Sequence, residues 1–279
     1  MQSPTISGYP RATWRLIVGD ETDGATNMAV DEAILTAVTE GSSLPTLRFY
    51  AWSPPCLSLG RNQPLADADQ EACLAAGVDI VRRPTGGRAI LHTDELTYSI
   101  LLPRSDPRAT DDVVDCYRRL SEGLLVGLRR LGVEAIQATG QPGPASDPVA
   151  VCFETPTNYE IIAGGRKLVG SAQWRSRDGV LQHGTLPLYG GLTRVISYLA
   201  FPDEDRESRR RLLATRAVTL EEAIGCRLEF AQVVEALTEG FARALNLSFE
   251  PGGPTNKEQD LAAGLRRNRY AATHWTARV

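Results

Sequence analysis

Lysine is almost missing from this 279-residue chain: of 30 basic residues only Lys167 and Lys257 are lysine, and the rest are arginine. A bias of that kind puts Arg wherever a generic surface cation suffices. The lysines that persist are then enriched where a compact charge or a proton-trading amine is needed, chemistry that Arg cannot supply. Lys167 lies among β-leaning residues, whereas Lys257 lies in the polar stretch GGPTNKEQD and serves as the contrast. Cysteine is also sparse. Five residues (56, 73, 116, 152 and 226), an odd number and widely spread without a C-x-x-C, point to reduced thiols in a cytoplasmic protein rather than a disulfide frame or zinc site. Three histidines, two of them His92 and His183, show no H-E-x-x-H or other ligand spacing, so no metal and no cofactor is expected. No apolar run approaches the roughly 18 residues of a membrane span, and the segment MQSPTISGYPRAT lacks the basic-then-apolar order of a secretory signal. With a net charge of −4 the chain is not a strongly basic nucleic-acid binder.

The remaining composition, 42% hydrophobic and 23% charged, is that of a globular protein with room for a sizeable core. TWRLIVG (13–19) reads as a first strand. NMAVDEAILTAVTEG reads as a helix, with Val30, Ile34 and Val38 on one stripe, Thr26 or Asn27 as cap, acids in the first turn and Gly41 at the end. LRFYAW and CLSLG are short strands broken by SPP, and ADADQEACLAAG is a short helix. VDIVRR, RAILH and LTYSILL read as three strands joined by tight turns. Residues 111–131 carry helical periodicity and VEAIQ follows as a strand, before a loop-like ATGQPGPASDP (138–148). NYEIIAG, RKLVGSAQWR and GVLQHGTLPL then form an expected antiparallel meander. From about residue 206 the pattern is helical. Hairpins rather than regular βαβ alternation predict an α+β fold, a mixed and largely antiparallel sheet flanked by helices. A single domain over 1–279 is expected, with a sheet core at about 12–200 and a helical portion at about 206–279.

Four segments carry candidate chemistry. In RRPTGGRAILH (82–92) two glycines between strands let backbone N–H groups approach a ligand; the plainer alternative is a hairpin turn with solvated arginines. It is neither a Walker A loop nor a dinucleotide fingerprint. Cys152, in AVCFETPTNYE, precedes a strand pair and is by itself more typical of a small buried hydrophobe. Lys167 comes fifteen residues later in GRKLVGSAQWR, and adjacent antiparallel strands can bring the two into one pocket. A nearby ammonium favours the thiolate, the form that attacks carbonyls. LQHGTLPL supplies His183, which taken singly reads as a hydrogen-bonded structural residue.

Together NMAVDEAIL, SPPCLSLGRNQ, RRPTGGRAILHTDELTYS, CFETPTNYE, GRKLVGSAQ and LQHGTLPL resemble the biotin/lipoate protein ligase superfamily, and within it the octanoyltransferases of the LipM type. The likeness spans about residues 14–190, with a fainter trace in YAATHW. The resemblance implies Cys152 as acyl-accepting nucleophile and Lys167 as the pocket lysine. Around the substrate it implies Arg83, Thr85, Gly86, Gly87, Arg88, His92, Gly170, Ser171, His183 and Gly184. It implies octanoyl-acyl carrier protein as donor and a lysine of a lipoyl domain or of the glycine cleavage H protein as acceptor, with no nucleic acid or membrane partner. ATP-dependent lipoate ligases of the superfamily need no cysteine here and usually continue the glycine loop with a third small residue, where this chain has Arg88. Both departures favour the transferase over a ligase, an amidotransferase between lipoyl domains, or a non-catalytic acyl-binding protein. Acidic partners need a local basic cluster, for which Arg82, Arg83, Arg88 and Arg209–Arg211 are candidates.

Overall fold

The structure is a computed structural model that describes residues 8–138 and 160–279. The first strand, β1 (Ala12–Thr22), leads into α1 (Gly24–Thr39), and β2 (Thr46–Trp52) returns beside β1. The chain then leaves this sheet at SPP to form β3 (Cys56–Leu59), α2 (Gln70–Ala75), β4 (Asp79–Arg82) and β5 (Ile90–His92). It re-enters at β6 (Glu95–Pro103), followed by α3 (Val113–Arg130) and β7 (Ala135–Gln137). After the undescribed residues come β8 (Ile161–Ala163), β9 (Arg166–Arg175) and β10 (Gly179–Pro187). The rest is α4 (Asp203–Arg216), α5 (Leu220–Ile224), α6 (Phe230–Leu245), β11 (Leu247–Pro251), α7 (Asn256–Leu265), one π turn at Arg266–Tyr270 and α8 (Thr273–Thr276).

Two sheets result, an eight-stranded one in the order β11-β1-β2-β6-β10-β9-β8-β7 and a three-stranded one in the order β4-β3-β5. Pairing in the large sheet is antiparallel except at β11–β1 and β1–β2. The expected α+β, largely antiparallel architecture is therefore present, and β8–β9–β10 is the expected meander. Central strands β6 and β10 are covered on both faces, which is why they read as nearly continuous buried runs. Tyr98, Ile100, Leu102 and Leu186 point to the α3–α6 side, with Leu120, Leu124 and Phe241. Leu101 and Leu181 point the other way, onto Ile34, Leu35 and Val38 of α1.

Three local expectations are corrected. RRPTGGRAILH is not a hairpin, because β3 lies between β4 and β5 and the loop arches over it. The cap of α1 is Asp23, not Thr26 or Asn27: its carboxylate accepts the Thr26 N–H at 2.9 Å, so the helix starts earlier and Asp31 falls in its interior. The large sheet also draws β11 from beyond residue 206, a segment whose parallel register with β1 depends on the whole intervening chain.

Candidate functional site

The segment Arg82–His92 is turned inward at both ends and outward in the middle. Arg82, Arg83, Pro84 and Thr85 are buried, whereas Gly86, Gly87 and Arg88 are exposed. The arginines that could have been solvated are structural. Arg82 donates to the carbonyls of Gly60, Gln63 and Thr276. Arg83 holds the loop from inside, donating to the carbonyls of Ser58, Gly86 and Arg88 at 2.7–2.8 Å. A planar guanidinium with five donors suits this task, since each loop carbonyl it satisfies fixes one more backbone position. Of the three arginines expected at a docking surface here, only Arg88 reaches solvent. Gly87 adopts φ +91°, a conformation open to glycine at little cost.

From this loop Thr85 reaches across to β10, where its Oγ1 lies 2.6 Å from Nε2 of His183. The other ring nitrogen of His183 stands 3.8 Å from Asp31 Oδ2. Asp31 is fully buried and accepts from Arg48 at 2.7 Å, Tyr50 at 3.0 Å and Ser99 at 2.6 Å. Burial by itself pushes its carboxyl up, but Arg48, His183 and Ser99 outweigh that and hold it below the usual carboxylate range. Burial holds His183 below 6.5, against the pull of Asp31, so the ring is uncharged at neutral pH and Nε2 can accept the Thr85 hydroxyl proton. Asn27, one helical turn before Asp31, accepts from Arg48 at 2.7 Å and carries this polar seam to the end of β1.

A second seam bolts the small sheet to the large one. His92 Nδ1 lies 2.6 Å from Glu95, Nε2 lies 2.7 Å from the Ser58 hydroxyl, and the ring stacks on Trp52 at 3.9 Å. Glu95 also accepts from Thr97 at 2.6 Å and from Thr185. Burial alone would raise the Glu95 carboxyl, yet His92, Thr185 and Thr97 together bring it below its ordinary value.

The meander places the remaining residues. Gly184 sits opposite Ser171, and Thr185 opposite Gly170. A side chain at Gly184 would put Cβ 2.5 Å from the Gly170 oxygen and 2.7 Å from Tyr98 Cε1, so glycine is required by close packing. Ser171 bonds Tyr98 at 2.7 Å, and Tyr98 packs on Phe241 of α6. Ser171 therefore lies on the α3–α6 face, while His183 and Thr85 lie on the α1 face; the structure joins Thr85 to His183 and separates both from Ser171. Lys167 is buried, and its ammonium pairs with the buried carboxylate of Glu160. Cys152 lies outside the described residues.

Sequence reasoning did not single out Asp31, Arg48, Glu95 or Glu160. The spacing of Asn27 and Asp31, four apart on a helix whose other stripe is apolar, was the available signal for the first seam. Glu95 and Glu160 lie at strand edges inside the quoted HTDELTYS and CFETPTNYE, where no helical or strand spacing ties them to a partner. Among the described residues no group of three or more His, Cys, Asp or Glu is arranged to hold a metal ion.

The chain is similar to known proteins in family and in fold. Residues 23–242 match the family model described as the lipoyl protein ligase A/B catalytic domain. The chain is 43% identical over 272 residues to octanoyltransferase LipM of Kyrpidia tusciae, covering 95% of this chain and 99% of that protein. It is 44% identical over 274 residues to octanoyltransferase LipM of Moorella thermoacetica, covering 96% and 99%. Among solved structures, lipoate-protein ligase A bound with ATP superimposes with a TM-score of 0.77 at 26% identity, covering 95% of this chain and 99% of that one. A bipartite lipoate protein ligase from Thermoplasma acidophilum gives 0.81 at 22% identity, covering 96% and 98%, a likeness of fold.

Proposed function

Since this chain belongs to the lipoyl protein ligase A/B catalytic domain family, we propose that its site transfers an octanoyl group from a carrier thioester to a lysine through an acyl-thioester on Cys152. The chain is an octanoyltransferase of lipoate biosynthesis, an acyltransferase that takes an acyl donor and a lipoyl-domain acceptor. The finer assignment, octanoyl-acyl carrier protein as donor and a lipoyl domain or glycine cleavage H protein as acceptor, follows from what a thioester makes possible. The carrier thioester is already activated, so no nucleotide is consumed.

The Cys152 thiolate attacks the octanoyl carbonyl; its Sγ–C bond forms, the donor C–S bond breaks, and the donor thiolate leaves with a proton. The acceptor amine then attacks the acyl-enzyme, forming an amide and returning the thiol. Thioester to thioester is nearly level in energy and thioester to amide is downhill, so the second step commits the product. Lys167 supports both steps, as a cation beside thiolate and oxyanion and as a partner for the proton of the incoming amine. Glu160 positions the Lys167 amine. Arg83, Thr85 and His183 shape the wall, with Gly86, Gly87 and Arg88 at its outer rim and His92 behind it. Ser171, Gly170 and Gly184 set the strand spacing beneath. Each buried methylene contributes about 0.8 kcal/mol, and one methylene more or less alters affinity only about fourfold. Preference for eight carbons therefore depends on where the cavity ends.

The 43% identity over nearly the full length of an octanoyltransferase is the observation that carries this reading. The test is intact mass after mixing the protein with octanoyl carrier thioester and no ATP. One octanoyl group should appear on the parent and none on Cys152→Ala. The fold also matches a ligase bound with ATP at 26% identity, so activity that requires ATP and survives Cys152→Ala would transfer the assignment to a lipoate ligase.

A further inference from the structure

The rim of the glycine loop carries cations that the chain leaves unneutralised. Gly60 packs directly against the carbonyl of Gly87, and the N–H of Arg61 donates to Thr85 O at 2.8 Å, so Arg61 stands beside the loop. The C-terminal segment closes against the same place. Arg82 donates to Thr276 O at 3.0 and 2.6 Å, Trp275 Nε1 donates back to Arg82 O at 2.8 Å, and Leu65 N donates to Val279 O at 3.2 Å. Trp275 becomes a platform, with the guanidinium of Arg269 3.9 Å and that of Arg278 4.2 Å from its ring centre.

Arg269 is neutralised by Glu32 through two contacts of 2.6 and 2.8 Å. Arg61 and Arg278 meet no carboxylate among the described residues. Both belong to this rim, Arg61 through its backbone bond to Thr85 and Arg278 through its place over Trp275, and burial, then Arg61, then Arg269 hold the Arg278 guanidinium below the usual arginine range. In a chain of net charge −4, two guanidiniums at the rim of the acyl wall with no carboxylate partner among the described residues are a place where a bound anion lowers the energy.

We propose that Arg61 and Arg278 form an anion-docking face beside the glycine loop that receives the phosphate group of the arm presenting the acyl thioester. This rests on the octanoyl-transfer reading above and names what that reading leaves open, the group by which the donor is held. Carrier protein and coenzyme A share such an arm, so both are ligands of this face, whereas a pantetheine thioester without phosphate is not. Arg–phosphate contacts at an exposed rim act through affinity and encounter, leaving the chemical step alone.

The experiment compares the parent with Arg61→Gln/Arg278→Gln, using octanoyl carrier protein, octanoyl-phosphopantetheine and octanoyl-pantetheine as donors and coenzyme A as competitor. In the parent, KM should be about tenfold lower for the phosphorylated arm than for octanoyl-pantetheine. In the double variant that preference should vanish, KM for the carrier protein should rise about tenfold, kcat should hold, and coenzyme A should compete more weakly. The dependence of kcat/KM on salt should flatten as well. An unchanged KM, or equal damage with octanoyl-pantetheine, overturns the proposal. Damage with the carrier protein alone also overturns it, because the two arginines then meet the protein surface rather than the arm. No turnover of the parent with any thioester overturns the transfer reading itself, a result distinct from a lost preference among donors.

Discussion

Changing either member of the Glu160–Lys167 pair should cost more than changing both. The two side chains are 3% and 2% exposed, so neither charge has water to fall back on. Removing one partner of such a pair leaves a buried charge and costs about 3–5 kcal/mol, whereas replacing both with uncharged groups of similar volume is often neutral or stabilising. Lys167→Met and Glu160→Gln should each lose at least about 3 kcal/mol. In a domain of this size that is a fall in Tm of about 6–12 °C. The double variant should regain about 2 kcal/mol or more over the worse single variant. Denaturant unfolding gives the stabilities, and single-turnover acyl transfer runs beside it as a separate readout. Activity should not follow stability, because the double variant has no amine to serve the reaction. Glu160→Gln keeps the amine but loses its anchor, and an ångström of misplacement is worth up to about a hundredfold in rate. Strictly additive stability losses would refute the reasoning, since two groups that do not lean on each other cannot compensate.

Cys152→Ala should abolish acyl-enzyme and transfer, while Ala at Cys56, Cys73, Cys116 or Cys226 should keep the rate. Burial raises the Cys56 thiol, and burial with Asp69 pushes Cys73 up to about 11, so iodoacetamide at neutral pH should leave both unlabelled. Gly184→Ala should destabilise by about 1–3 kcal/mol or more by overpacking against Gly170 and Tyr98, visible as a lower Tm. Folding stability should decline in two stages on acidification. Below pH 6.5 the unfolded chain takes up a proton at His183 that the folded chain resists, and below about 4.5 the same holds at Glu95 and then Asp31. Urea titrations at stepped pH check this, and Glu95→Gln should flatten the second stage; an unaltered acid limb would remove Glu95 from the account.

Most strands and helices were legible because their cause is local. The α3 stripe, the β8–β9–β10 meander and the glycines that punctuate them are written in spacings of two to four residues. What was not legible depends on pairings that sequence distance conceals. β3 slips between β4 and β5 because the chain changes sheets at SPP, which turned an apparent hairpin into an arch. β11 needs a partner more than two hundred residues earlier. Arg82 and Arg83 look like surface cations until loop and C-terminal carbonyls, from Ser58 to Thr276, converge on them. The site followed the same rule. Thr85 and His183 were singled out from their motifs, while Asp31, Glu95 and Glu160, inside other quoted motifs, and Arg48 were not, because their partners lie on distant elements.

The two motif histidines have different duties, and donor chemistry alone separates them. Trp52 and Arg83 can only donate, so direction runs inward from each end of the second seam. Trp52 Nε1 donates to Thr97 at 2.8 Å, and Thr97 passes its own proton to Glu95. Arg83 donates to the Ser58 hydroxyl at 3.1 Å, leaving the Ser58 proton for Nε2 of His92, whose Nδ1–H turns to Glu95. Every bond ends on one carboxylate, and His92 has no nitrogen left for a substrate. It is a spacer that fixes the distance between the sheets. His183 differs: its Nε2 meets a single hydroxyl on the glycine loop, and its other nitrogen stands 3.8 Å from Asp31, too far for a firm hydrogen bond. The less tightly held ring is the one bonded to the glycine loop, so on the proposed acyl-transfer reading substitutions at His92 should register as stability and substitutions at His183 as affinity for the acyl donor.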